Sequence, residues 1–166
     1  MQNEHILPKR KKLRLKNYDY TLSGAYFITI CTHQKQILFD TSVVGNDLCV
    51  VPSNIPQNQI LEKWLFELEN KFDVAVDQYV IMPDHIHFIL FISDTERHAG
   101  RSLPKILQWY KTMTTNEYIA LVKADILKPF DKKLWQKSYY EHIIRDEEDY
   151  LTRAKYILNN PLKLQL

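Results

Sequence analysis

Residues Gln78–Ile92, QYVIMPDHIHFILFI, constrain this chain more than any other stretch. The run is almost wholly aliphatic, β-branched or aromatic, and Pro83-Asp84 interrupts it. It is far short of the roughly 20 apolar residues that span a bilayer. It therefore reads as a strand, a tight turn and a second strand antiparallel to the first. His85 and His87 lie one residue apart in the second strand. Side chains alternate along a strand with a period of two, so both imidazoles project from one face. Such a pair is either a set of hydrogen-bonded structural histidines or half of a metal site.

The other elements follow from their own periodicities. Ala25–Thr32 (AYFITICT) reads as a strand, His33–Asp47 as a loop or short hairpin, and Leu48–Val51 as a short strand. In Pro56–Phe72 the apolar residues Ile60, Leu61, Trp64, Leu65, Leu68 and Phe72 fall at spacings of three and four, one face of a helix that Ser53 or Asn54 is expected to cap. Phe72–Met82 is the strand before Pro83, and His85–Ser93 the one after it. Asp94–Ser102 is a polar loop, and Leu103–Lys123 a second helix with Ser102 at its cap and Pro104 in its first turn. Leu134–Ile144 reads as a strand and Asp146–Leu158 as a last helix, ending near Asn159 or Asn160 before Pro161. The acidic run Asp146–Asp149 then sits where the helix dipole favours negative charge, which accounts for it without a metal. This order predicts an α+β fold of the ferredoxin-like split βαβ type: one antiparallel sheet, two helices on one of its faces, and an added C-terminal helix. At 166 residues the chain suits one domain, residues 18–166, preceded by a basic arm, residues 1–17.

A net charge of +2 does not mark a nucleic-acid binder in bulk, and the distribution of the charge is more telling. Lys9, Arg10, Lys11, Lys12, Arg14 and Lys16 crowd into eight positions, with Tyr18 and Tyr20 just beyond. Cations for phosphates beside rings for unpaired bases are what single-stranded nucleic acid requires. The alternative is a solvated tail. Lys105, Trp109 and Lys111 offer a second such combination. Cys31 and Cys49 lack any close zinc-type spacing, and the N-terminal residues are polar and then basic. A reduced, cytoplasmic protein without membrane attachment is expected.

Zinc in a structural site needs four nitrogen or sulfur ligands, which the chain does not assemble around His85 and His87. A hard divalent ion, Mg2+ or Mn2+, accepts two imidazoles, an amide or carboxylate oxygen and phosphate oxygens. Tyr156 and Asn160 are four residues apart and share a face of the last helix. A phenol beside a metal-bound amide is a candidate nucleophile; a core aromatic and a helix cap are the alternative roles. Asp84, just before His85, is given no metal role. His142 is expected to be a structural hydrogen-bonding histidine, with Glu141 and Arg145 structural or facing DNA.

These segments in order resemble the single-tyrosine HUH transposases, the IS200-type enzymes and the transposases associated with repetitive extragenic palindromes. The resemblance is carried by RLKNYDYTLSGAYFITICT at Arg14–Thr32, YVIMPDHIHFIL at Tyr79–Leu90, LWQKSYYEHIIRDEEDY at Leu134–Tyr150 and AKYILNNPLK at Ala154–Lys163. It implies that His85, His87 and Asn160, rather than its neighbour Asn159, hold a divalent metal and that Tyr156 is the nucleophile. It implies cleavage and rejoining of single-stranded DNA through a 5′-phosphotyrosine, with hairpin DNA as partner and a monomer or homodimer as the working form. Two competing functions remain: a non-catalytic domain that binds hairpin DNA or RNA, and a metal-dependent hydrolase of small phosphoesters that would not need Tyr156.

Overall fold

The computed structural model describes residues 24–44, 50–51, 53–93 and 102–161. Four strands form its main sheet: β1 (Gly24–Cys31), β4 (Val74–Met82), β5 (His85–Ile92) and β6 (Tyr140–Ile144). Their order is β4-β5-β1-β6, and every neighbour is antiparallel. Helix α1 (Pro56–Phe72) joins β1 to β4 and α2 (Leu103–Lys123) joins β5 to β6, which is the split βαβ plan. The two-residue strands β2 (Val43–Val44) and β3 (Val50–Val51) pair beside this sheet. Helix α3 (Glu147–Asn159) closes the described part of the chain.

Alternation splits the sheet into two working faces. Tyr26, Ile28 and Ile30 of β1 and Ile86, Phe88 and Leu90 of β5 pack with Leu61, Leu65 and Leu68 of α1 and Ile106, Leu107 and Tyr110 of α2. The opposite face presents Phe27, Val80, Met82 and Ile89, and Ile157 of α3 is buried against them. The two histidines stand on this second face, because Ile86 between them points into the larger core. The sheet thus has two helices on one face and the tyrosine-bearing helix on the other.

Helices α1 and α2 have the bounds that their periodicity predicts. Their starts differ from expectation. Ile55 holds the N-cap position of α1 without a side-chain bond, and neither Ser53 nor Asn54 caps it. Ser53 Oγ instead accepts the Ile55 N–H, one residue too early to reach the helix's own donors. Ser102 stands at the cap of α2 but its side chain makes no capping bond. Asp146, by contrast, caps α3 by accepting the Asp149 N–H. Asp73 ends α1 in the left-handed region at φ 51° and turns the chain into β4.

The expected strand Leu134–Ile144 is shorter than its composition suggests. Only Tyr140–Ile144 joins the sheet, while Trp135 makes an isolated bridge to Thr32. Trp135 is buried and its indole N–H donates to Thr114 Oγ1 at 2.9 Å. The carbonyls of Gln136 and Ser138 accept from the Lys111 ammonium at 2.9 and 3.0 Å, so these residues leave the ladder for α2. Of Leu48–Val51, only Val50 and Val51 are described, and they form β3. Among the described residues no helix is long and apolar enough to cross a membrane.

Ile86 has no exposed surface. Ile86→Ala should cost about 2–5 kcal/mol of stability, as buried aliphatic truncations do; urea unfolding followed by circular dichroism measures it.

Candidate active site

The site grows out of the pairing between β1 and β5. Their register sets Thr29 opposite His87 and Cys31 opposite His85. Directly opposed residues share a face, so the Thr29 hydroxyl meets the His87 ring, Oγ1 to Nδ1, at 2.8 Å. In the tautomer whose Nδ1–H donates to that hydroxyl, the His87 lone pair lies on Nε2. His87 Nε2 is buried and has no hydrogen-bond partner among the described residues. Burial first, then the neighbouring His85 and Lys35, lowers the His87 pKa to about 3, so the ring is neutral at pH 7 and its lone pair is available.

His85 is oriented in a parallel way. The turn between β4 and β5 is pinned by three backbone bonds, Thr32 N–H donating to Asp84 O and Leu38 and Phe39 N–H to Pro83 O. The Asp84 carboxylate so placed takes the His85 Nδ1–H at 2.5 Å. Lys35 closes the arrangement, its ammonium 3.2 Å from the other Asp84 oxygen and 3.4 Å from Cys31 Sγ. Burial would raise the Asp84 pKa, but the His85 and Lys35 hydrogen bonds outweigh it and hold the carboxyl below its usual range. Lys35 comes from a short 3-10 turn, where it and Gln34 take left-handed φ values of 59° and 54°. Such conformations are costly for residues other than glycine and persist only where the surroundings enforce them.

Tyr156 reaches the same place from α3. Its ring stands edge-on to His87, centroids 5.4 Å apart, and edge-on to Phe27 at 5.9 Å. The two imidazoles are 4.6 Å apart. Phe27 also stacks on His87 at 5.3 Å, so one phenylalanine fixes both the imidazole and the phenol. Tyr156 is 40 % exposed, with Ile157 beside it fully buried, so the helix is anchored while the phenol remains reachable. One turn earlier Arg153 holds its guanidinium over the Phe27 ring, with its Nε bonded to Asp149. His142 joins Asp149 at 2.7 Å and ties β6 to α3, the structural role expected of it. Tyr150 hydrogen-bonds Asp77 of β4 and ties the other side.

Asn160 follows the end of α3 and is buried at 8 % exposure, with its amide Nδ2 lacking a hydrogen-bond partner among the described residues; Asn159 is only half-buried. Two oriented imidazoles with nitrogens left for a ligand fit a hard or borderline divalent ion, to which Asn160, buried at the end of the tyrosine helix, could present only its amide oxygen, since Nδ2 is a hydrogen-bond donor. No group of three histidines, cysteines or carboxylates forms a metal cluster among the described residues.

Sequence reasoning gave no role to Asp84 and passed over Thr29, Lys35, Phe27 and Arg153. The alternation Phe27, Thr29, Cys31 placed them on one face, but which strand they would face was not in the sequence. Trp109 lies between Trp64 and Phe72 and Lys111 is spent on carbonyls, so with Lys105 they make no stacking platform. Glu141 is buried and Arg145 exposed. Lys9, Arg10, Lys11, Lys12, Arg14, Lys16, Tyr18 and Tyr20 lie outside the described residues.

Residues 25–160 match the family described as Transposase IS200 like. A Haemophilus influenzae protein described as uncharacterized is 34% identical over 173 residues, covering 92% of this chain and 88% of its own. A REP-associated tyrosine transposase of Escherichia coli is 23% identical over 112 residues, covering 64% and 56%. Among solved structures, a REP-associated tyrosine transposase bound to a REP hairpin superposes with a TM-score of 0.60 at 21% identity, covering 91% of this chain and 73% of its own.

If Thr29 and Asp84 orient the imidazoles for a metal, Thr29→Val and Asp84→Ala should each weaken Mn2+ binding about 10–100-fold, the usual effect of losing such a support. Titration calorimetry reads this directly, and unchanged affinity in both would remove them from the role.

Proposed function

Since the chain belongs to the IS200-like transposase family, we propose that it cleaves and rejoins single-stranded DNA with Tyr156 as nucleophile. The observation that carries the reading is the edge-on approach of Tyr156 to His87 within one chain, ring centroids 5.4 Å apart. A core aromatic would have no reason to be 40 % exposed beside a histidine whose Nε2 is unsatisfied.

His85, His87 and Asn160 would hold Mg2+ or Mn2+. When bound, that ion polarises a phosphate oxygen and offsets charge as it develops. The Tyr156 oxygen forms a bond to phosphorus in line with the bond to the 3′ oxygen, which breaks. The phenolic proton passes to solvent and the departing oxygen takes one up, leaving a free 3′-hydroxyl and a 5′-phosphotyrosine. Phe27 holds the phenol and the His87 ring in a fixed relation, so little ordering remains when DNA arrives. The phosphotyrosine keeps the energy of the diester, and a 3′-hydroxyl from the same or another strand reverses the step without ATP. The basic arm from Lys9 to Tyr20 would lie on the DNA. A hairpin is the partner we assign, as the solved relative named above is bound to one. The geometry supports action in cis, since α3 packs on its own sheet. The cytoplasm, where the DNA is, would be its compartment.

Incubation with a single-stranded hairpin substrate and Mn2+ should give a protein–DNA adduct that survives denaturation. Tyr156→Phe should abolish it, and His85→Ala with His87→Ala should reduce it below detection. An adduct that persists in Tyr156→Phe would exclude Tyr156. DNA binding by the wild type with no adduct would favour a binding domain, and turnover of small phosphoesters a hydrolase.

A further inference from the structure

A second surface is left unused by this chemistry. Helix α2 and the segment from Phe130 to Tyr139 enclose a groove of about 660 Å³. Lys111, Lys132, Lys133 and Lys137 line it together with Gln108 and Tyr139, and none of its lining residues is acidic. In a chain with 22 basic and 20 acidic residues, four lysines without a carboxylate are a local excess. Lys132, Lys133 and Lys137 are exposed.

The groove is built rather than incidental. Lys111 fixes one wall through the carbonyls of Gln136 and Ser138 and lies over the Tyr139 ring at 5.5 Å. Gln36 fixes the other end: its amide nitrogen donates to Asp131 O at 3.1 Å and its oxygen accepts the Asp131 N–H at 2.6 Å. Between these anchors Lys132 is held at φ 57°, a left-handed conformation that a lysine rarely adopts.

The groove also joins the active-site end of the sheet. Gln36 belongs to the loop that carries Lys35, which reaches Asp84 beside His85. His85 is opposite Cys31, and Cys31 O accepts the Gln136 N–H at 2.9 Å. Two interstrand steps, about 10 Å, therefore separate His85 from the wall of the groove.

We propose that this groove binds the single-stranded DNA running away from the scissile phosphate. Lys132, Lys133 and Lys137 take the phosphates, and Tyr139 and Gln108 face the bases. Phosphate-tracking cations with a ring and a side-chain amide alongside are the requirements of a strand-binding groove. This occupant is chosen over a small anion because the charges are spread along the groove, whose Gln136 wall lies two interstrand steps from His85 at the same end of the sheet. The inference rests on the function proposed above only for the direction of the strand.

The test uses the full chain carrying Tyr156→Phe, so that DNA remains uncut, and compares it with the same chain also carrying Lys132→Ala, Lys133→Ala and Lys137→Ala. Affinity is measured across salt for a hairpin with a single-stranded flank and for the same hairpin without one. The triple substitution should weaken binding of the flanked hairpin on the order of tenfold and lower its salt slope by about 2, as three lost single-strand phosphate contacts require. Binding of the bare hairpin should change little, and Lys71→Ala, at the C-terminal end of α1, should change neither. An unchanged slope on the flanked substrate, or an equal loss on both, would overturn the proposal. Adduct formation by the chain with Tyr156 intact reports on the catalytic reading separately: a groove effect without an adduct sinks the chemistry and keeps the groove, and an adduct without a groove effect does the reverse.

Discussion

The pairing of β1 with β5 is the constraint on which the site depends. Both strands are buried on two faces, so each residue has an assigned side. The register that places Ile28 and Phe88 in the larger core also sets Thr29 against His87 and Cys31 against His85. A slip of one residue would drive the imidazoles into the aliphatic core and turn Ile86 toward the tyrosine. Core packing therefore enforces the side-by-side placement of the two imidazoles. The hydrophobe between the histidines is as much part of the device as the histidines are.

Helix α3 supplies the other half and is held differently. Its buried contact is narrow, centred on Ile157. Polar ties on both flanks compensate: His142 to Asp149 on the β6 side and Tyr150 to Asp77 on the β4 side. Asp77 lies where the pairing of β4 with β5 shifts register between Val76 and Tyr79. A bulge of this kind re-aims a side chain, and here it offers a carboxylate to the helix. A small apolar anchor with polar outriggers fixes the phenol without burying it.

Much of this was legible in the sequence, for definite reasons. The i, i+2 spacing of His85 and His87 gives their shared face, and the three-and-four spacing in Pro56–Phe72 and Leu103–Lys123 gives both helices with their ends. The α+β split βαβ order followed. What failed were features set by tertiary partners. Leu134–Ile144 has strand composition throughout, yet Lys111 draws the Gln136 and Ser138 carbonyls away from the sheet. Ser53 and Ser102 have capping chemistry but make no capping bond. Thr29 looked ordinary because its cross-strand hydrogen bond depends on register, which no local pattern in β1 discloses, and Asp84 because its aim at His85 is set by the backbone bonds that pin the turn. Lys35 acts through a strained turn that no residue type announces.

The proposed chemistry requires the two oriented imidazoles and the tyrosine helix to converge on one cation. Anomalous diffraction from crystals soaked in Mn2+ locates that ion. One strong peak is expected at bonding distance from His85 and His87 Nε2, with the Asn160 side chain and the Tyr156 hydroxyl facing it. A fully bound ion elsewhere, or an empty site between the imidazoles at saturating Mn2+, would contradict it.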